Sequence, residues 1–175
     1  MIIHVTRKLS ERLPITSKES LAEDSPLGSW HADRLTLDRR QCVLFCHDAS
    51  RAVLFAAGLR KPQFQRLYSE VFRPLFADTL FGLGCRPASI DRALLALGPI
   101  EFDTATDRSV LGSMRVARQD LEAYLFNRFP NVLSMDPVRT SHRLTRRPVT
   151  VYGKHFWPQD RLLEMIDRLG HSPAP

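Results

Sequence analysis

WHADRLTLDRRQCVLFCHDASRAVLFAA, residues 30–57, carries the clearest β-strand pattern in the chain. Three runs rich in aliphatic, aromatic and β-branched residues, 30–37, 41–47 and 52–56, are separated by short polar connections. Short connections of this kind join antiparallel neighbours, because parallel strands need a long crossover. The stretch therefore predicts a three-stranded antiparallel meander.

The longest helical pattern follows the meander, over residues 64–83. Large apolar residues recur there at helical spacing, Pro62 suits the first turn, and Gly82 and Gly84 suit the end. Pro74 lies inside the pattern and predicts a kink, since proline lacks an N–H and clashes with the preceding turn. A stripe this regular is typical of a helix that packs on the core.

Shorter patterns complete the predicted architecture. Strands are predicted over 1–5, 100–104 and 148–152. Helices are predicted over 88–97, 114–129 and 136–144 and after Trp157, with a helical turn over 9–13, a loop over 14–29 and a tail over 170–175. Strands first and helices mostly later indicate an α+β fold, an antiparallel sheet with helices packed on one face, in a single domain of residues 1–175.

Composition bounds the class of protein. The net charge is +6 and comes mostly from arginine, which favours polyanionic partners, although a solvated basic surface has the same composition. The three cysteines are an odd number, and Cys42 and Cys46 fall in an apolar run, so a reducing compartment is expected rather than a disulfide framework. No apolar run approaches the roughly 20 residues of a membrane span, and no Cys/His set has zinc-binding spacing. We therefore expect a cytoplasmic protein without a membrane partner, a metal or another cofactor.

A polar cluster is predicted at one end of the first hairpin. With Arg39 and Arg40 as a two-residue tip, His31 would face Asp48, and Asp33 would face Cys46, on one face of the sheet. A possible base, carboxylates and a thiol in one place can serve catalysis or bind a metal. The alternative is a His–Asp contact that only stabilises the hairpin, with the cysteine as a small core residue.

A second polar cluster, DTATDRSVLGS, lies between a predicted strand and a predicted helix, at residues 103–113. Loops at such junctions expose backbone N–H groups near a helix N-terminus, which favours anions. The side chains of Arg108, Ser109 and Ser113 would add donors to this predicted anion site. Asp103 and Asp107 could instead bind a cation. The structural alternative is that they cap the loop and the helix, with an Arg–Asp pair inside the loop.

The third feature is a basic stretch without acidic residues between Pro137 and Trp157. Aromatic residues and histidines interleave with its cations, a combination that can follow a phosphate backbone and stack bases. A solvated basic face would look the same. The predicted nucleic-acid-binding residues are Arg139, Arg143, Arg146, Arg147 and Lys154.

Two of these stretches resemble motifs of an uncharacterised bacterial family known as a domain of unknown function. Residues 29–45 are similar to an SWHAN…DRRKCVLF segment, and residues 106–114 are similar to TNNRSVLGSMND. Asp33 and Asp107 stand where the family motifs have Asn, and Arg115 stands where the second motif has another Asn. Because Asn and Asp share turn and cap geometry but not charge, the resemblance favours structural roles for these positions. It implies no activity.

The sequence thus leads to three hypotheses of function. The first is a binding module for nucleic acid or another phosphate-bearing partner, which uses the Arg108–Ser109 loop and the basic stretch. The second is a small enzyme that uses His31 with Asp48 or Asp107. The third is an interaction protein without a small-molecule site, and the sequence contains no indication of oligomeric state.

Overall fold

A five-stranded mixed sheet lies at the centre of the computed structural model, which describes residues 1–170. Its strand order is β4-β3-β2-β1-β5, with β1 Ile2–Val5, β2 Trp30–Leu37, β3 Arg40–His47, β4 Val53–Ala56 and β5 Glu101–Asp103. The predicted antiparallel meander is confirmed in β2, β3 and β4. The prediction of a purely antiparallel sheet is wrong, because β1 pairs in parallel with both β2 and β5. The α+β class is confirmed.

The tip of the first hairpin differs from the predicted one by one residue. Asp38 and Arg39 form the loop with φ of 45° and 59°, so Leu37 pairs with Arg40. A tight hairpin loop of this kind needs positive φ at both positions, and Asp tolerates that region better than most residues. The pairing consequently shifts by two residues, and His31 lies opposite Cys46. A shift of two keeps every side chain on its predicted face.

Helices cover both faces of the sheet, which corrects the prediction of helices on one face. One apolar set, including Trp30, Phe45 and Leu54, packs on the helical segment that follows the meander. The opposite set, including Leu44 and Phe55, packs on two later helices. Side chains alternate along a strand, so the uninterrupted burial of residues 42–47 requires cover on both sides.

The helical segment after the meander changes its winding before Pro74. It consists of α2 Lys61–Gln65, a π-helical turn Leu67–Phe72 and α3 Arg73–Gly82. The proline lies in the first turn of α3, where its missing N–H does not interrupt the regular hydrogen bonds of the helix. A π-helical turn lies just before the proline, where the sequence predicted a kink, and it widens the helix there. Phe72 from this turn packs edge-on against Trp30 at 5.1 Å between ring centroids.

The other elements follow the predicted pattern with shifted ends. They are α1 Arg7–Ser10, α4 Pro87–Ala96, α5 Arg108–Arg128, a 3-10 turn Val132–Ser134, α6 Pro137–Thr145, β6 Val149–Val151, β7 Lys154–Phe156 and α7 Pro158–Arg168. Helix α5 begins six residues before the predicted start at Met114, because Asp107 caps it. Strand β7 was not predicted and forms a two-stranded hairpin with β6. The predicted tail lies outside the described residues except for Gly170.

Candidate functional site

His31 lies on β2 at the centre of a partly buried polar network, and only 3% of its own surface is exposed. Its Nε2 atom accepts the backbone N–H of Asp107 at 3.0 Å, and its Nδ1 atom lies 2.7 Å from Oδ1 of Asp48. Because Nε2 is an acceptor, Nδ1 carries the proton and donates a hydrogen bond to the carboxylate. The predicted contact between His31 and Asp48 is confirmed.

This geometry uses both ring nitrogens of His31. A general base needs a free lone pair within reach of a substrate proton, and here the backbone of Asp107 occupies that lone pair. The contacts of His31 are those of a residue that joins β2 to the start of α5. The catalytic roles considered for His31, Asp48 and Asp107 stay predictions.

The network continues across the parallel strands to His4 and Asp103. In the sheet register His4 lies beside both His31 and Asp103. Nδ1 of His4 is 2.5 Å from Oδ1 of Asp103, and its Nε2 is 4.0 Å from Oδ2 of Asp48. Asp103 is fully buried and also accepts the backbone N–H groups of Leu21 and Ala105. The two His–Asp pairs thus form one row over three strands.

Sequence reasoning missed His4 as a member of this row. The residue stands alone in its apolar strand, and Asp103 was grouped with the loop that follows it. The available signal was a polar residue in each of two short apolar strands, His4 between Ile3 and Val5 and Asp103 after Phe102. Only the parallel pairing of β1 with β5 brings these two side chains together.

Asp107 caps helix α5. Its Oδ1 atom accepts the N–H groups of Ser109 at 2.6 Å and Val110 at 3.1 Å. Burial alone would raise the pKa of this carboxyl group, but the two N–H donors and the nearby charge of Arg51 outweigh burial and hold its pKa below the ordinary value. The charged carboxylate therefore already accepts the backbone N–H groups that a bound anion would use at this helix end.

The residues of the predicted anion site have different environments. The Ser109 hydroxyl accepts a hydrogen bond from Nη2 of Arg51 at 3.0 Å, and the Ser113 hydroxyl donates to the carbonyl of Ser109 at 3.3 Å. Arg108 is exposed at the first position of α5. The anion site stays a prediction, and the guanidinium of Arg108 is the group that can still reach an anion from solvent.

Cys46 and Asp33 do not form a reactive pair with His31. Burial raises the pKa of the Cys46 thiol to about 12, so the thiolate that nucleophilic chemistry needs is absent near neutral pH. Asp33 accepts a hydrogen bond from the Thr6 hydroxyl at 2.6 Å. Cys46 is a small buried core residue, as the structural alternative for this hairpin predicted.

A second region, which we call the arginine groove, lies between the C-terminal half of α5 and helix α6. It is an open groove of about 1100 Å³. Five arginines line it, and Asp120 is the acidic residue of the lining. The lining is Asp120, Ala123, Tyr124, Asn127, Arg128, Arg139, His142, Arg143, Leu144, Arg146 and Arg147.

The arginine groove brings together four of the five residues predicted to bind nucleic acid. Arg139 and Arg143 are four residues apart on α6 and share one helix face, and Arg146 and Arg147 follow at its end. Arg128, which was not predicted, comes from the last turn of α5. Lys154 is exposed on β7 and is not part of the lining.

Protein contacts orient three of these guanidinium groups. Arg143 lies over the ring of Tyr124, with its Cζ 4.3 Å from the ring centroid. Arg147 donates to Asp120 and to the carbonyl of Ser113, each at 3.1 Å. Nε of Arg146 donates to Oε1 of Gln159 at 2.8 Å. The stacking on Tyr124 holds Arg143 by its flat face and leaves its N–H edges available.

The sequence profile of the family described as Domain of unknown function (DUF6933) matches residues 2–161. The chain belongs to this family. The matched range contains both the histidine network and the arginine groove, and it confirms the resemblance to a domain of unknown function. No curated protein matches the sequence.

No helix within residues 1–170 has the length and hydrophobicity needed to cross a membrane. No group of three or more His, Cys, Asp or Glu side chains in the same range has an arrangement suited to a metal ion.

Proposed function

We propose that this protein binds nucleic acid and that the arginine groove is the surface that contacts the phosphates. The observation that carries the proposal is the convergence of five arginines, from α5, from α6 and from the two residues after α6, on one open groove. Planar guanidinium groups donate two parallel hydrogen bonds to a phosphate, and neutralised phosphates release counterions. The net charge of +6 adds a long-range attraction for a polyanion.

Arg139 and Arg143 are the best probes of this proposal. Both are exposed on the open side of α6, so their removal changes charge without emptying the core. Arg147 is a poorer probe, since only 15% of its side chain is exposed and it bonds to Asp120 and to the backbone of Ser113. Its loss would mix an effect on folding with an effect on binding.

The experiment measures the affinity of the full chain for a fluorescent oligonucleotide at several salt concentrations. Replacing Arg139 and Arg143 together by Ala should weaken binding and flatten the salt slope, by about 1.4 on a single strand at roughly 0.7 per phosphate contact. A matched control replaces Arg66, between α2 and the π-helical turn, and Arg168 of α7, which are exposed and pair with acidic neighbours. The control removes the same charge and should bind nearly as the parent.

Two results would overturn the proposal. One is the absence of binding to any DNA or RNA at low salt. The other is an equal loss of affinity in the Arg66/Arg168 control, because net charge rather than the groove would then account for binding. Replacing Arg108 by Ala in the same assay separates the predicted anion site from the groove. Tyr124, in the groove, lies 16 positions further along α5 than Arg108, a rise of about 24 Å at roughly 1.5 Å per residue.

A further inference from the structure

We infer that the nucleic acid in the arginine groove is single-stranded and that its bases stack on Tyr152 and Trp157, an inference that rests on the proposed function. These two aromatic side chains are exposed, Tyr152 to 87% and Trp157 to 52%. Both follow the groove in the chain, before and at the start of the last helix. Exposed aromatic rings beside a cationic groove are the recurring feature of single-strand binding sites.

The connections of the chain limit how far both rings can lie from one end of the groove. Tyr152 is five residues after Arg147, so an extended chain places it within about 18 Å. Trp157 is two residues before Gln159, whose side chain accepts the hydrogen bond from Arg146 of the groove. A strand of a few nucleotides therefore reaches from the arginines to both rings.

The hairpin that carries Tyr152 holds the ring out from the protein. Tyr152 and Gly153 form its two-residue tip with φ of 49° and 75°, the positive values that a tight hairpin loop needs. Across the pair, the hydroxyl of Thr150 and Nδ1 of His155 lie 2.7 Å apart. Arg161 lies over Phe156 at 4.7 Å, which fixes the base of the hairpin on α7. Tyr152 thus projects from a supported element.

The charge around the rings matches the same ligand. Lys154 and His155 are exposed on β7 between the two aromatic residues, and the chain contains no acidic residue from Pro137 to Trp157. Lys154, which lies outside the groove lining, has a function here as a contact to the backbone of a strand that continues past the arginines. The faces of bases are hidden in a duplex, so only an unpaired strand can use the rings.

The test compares a labelled single strand of about 20 nucleotides, longer than a typical site, with the duplex of the same sequence. Replacing Tyr152 or Trp157 by Ala should each weaken single-strand binding by at least about 5-fold, because stacking contributes roughly 1–3 kcal/mol per base. Replacement by Phe should restore most of the affinity. The salt slope should stay unchanged, since no charge is removed.

Phe126 provides the matched control. It is exposed to 88% on α5 but lies in a different pocket, beside Asp38 and Glu122. Its replacement by Ala should leave affinity unchanged. The inference is overturned if the Tyr152 and Trp157 variants bind the single strand as the parent does, or if the duplex binds more tightly than the single strand. If these variants bind normally while the Arg139/Arg143 variant does not, the groove proposal stands and the stacking inference fails.

Discussion

The backbone N–H of Asp107 donates a hydrogen bond to Nε2 of His31 across 3.0 Å, and this bond joins the start of α5 to the central sheet. The other ring nitrogen bonds to Asp48, so the imidazole links three segments of the chain. Removal of the ring leaves the partly buried Asp107 N–H group and Asp48 carboxylate without this partner. A buried group that loses its partner costs about 1–3 kcal/mol, and removal of the buried ring also leaves a cavity.

The first prediction follows from this link. Replacing His31 by Ala should lower the free energy of unfolding by about 2–3 kcal/mol, measured by urea denaturation. Replacing the exposed His155 by Ala is the control and should change the free energy by less than about 0.5 kcal/mol. A His31 variant as stable as the control would contradict the structural role of the network.

The second prediction concerns the cap at Asp107. Replacement by Ala should lower the free energy of unfolding by about 1 kcal/mol, because Ser109 and Val110 lose their acceptor. Replacement by Asn should cost little, since its side-chain oxygen caps equally well. Denaturation of the two variants side by side is the measurement. If the Asn variant loses as much stability as the Ala variant, the negative charge near Arg51, rather than the cap, accounts for the stabilisation by Asp107.

Local patterns were enough to predict the meander and most helices. The strands 30–37, 40–47 and 53–56 are neighbours in sequence and in space, so their pairing depends on short turns. The parallel placement of β1 between β2 and β5 depends on contacts between distant parts of the chain. No periodicity within Ile2–Val5 specifies which strands it will join. The positive φ angles of Asp38 and Arg39 explain why the tip of the first hairpin lies one residue earlier than predicted.

The two candidate sites differ in how much the sequence could reveal. The basic stretch is visible as a run of residue types, and the helical spacing of Arg139 and Arg143 already places them on one face. The groove also needs Arg128 and Tyr124 from α5, and only the packing of α5 against α6 supplies them. The His4–Asp103 pair depends entirely on the strand order, which explains why the sequence did not predict it.

The third prediction is a loss of stability in mild acid caused by His47. Its Nε2–H donates to the carbonyl of Leu27 at 2.6 Å, and its Nδ1 accepts from the Ser50 hydroxyl at 2.7 Å. Complete burial lowers the pKa of His47 from 6.5 to about 4. Between these values the unfolded chain binds a proton that the folded protein does not, so stability falls as the pH falls.

The free energy of unfolding should fall by roughly 3 kcal/mol between pH 6.5 and about 4. Above pH 6.5, His47 adds no pH dependence to the stability. The measurement is the free energy of unfolding at several pH values. Replacing His47 by Gln should lower stability near neutral pH and remove this part of the pH dependence. An unchanged acid profile in the variant would show that another group is responsible.

The last prediction concerns Gly82, at the end of α3, and His142, on α6. The His142 ring donates from Nε2 to the carbonyl of Thr79 at 2.9 Å and also lines the arginine groove. A Cβ atom at Gly82 would overlap the Cε1 and Nε2 atoms of that ring. The φ angle of Gly82 is not among the positive values of the chain, so the backbone conformation does not require glycine here. Close packing against His142 requires it.

Replacing Gly82 by Ala should lower the free energy of unfolding by about 1–3 kcal/mol, as overpacking does. Helix propensity alone predicts the opposite sign, a gain of up to about 1 kcal/mol, so the direction of the change decides between the two effects. The double variant with His142 replaced by Ala should recover at least about 1 kcal/mol relative to the sum of the single changes, because the clash disappears. Urea denaturation of the four proteins measures this coupling, and a coupling near zero would show that Gly82 and His142 are not packed as described.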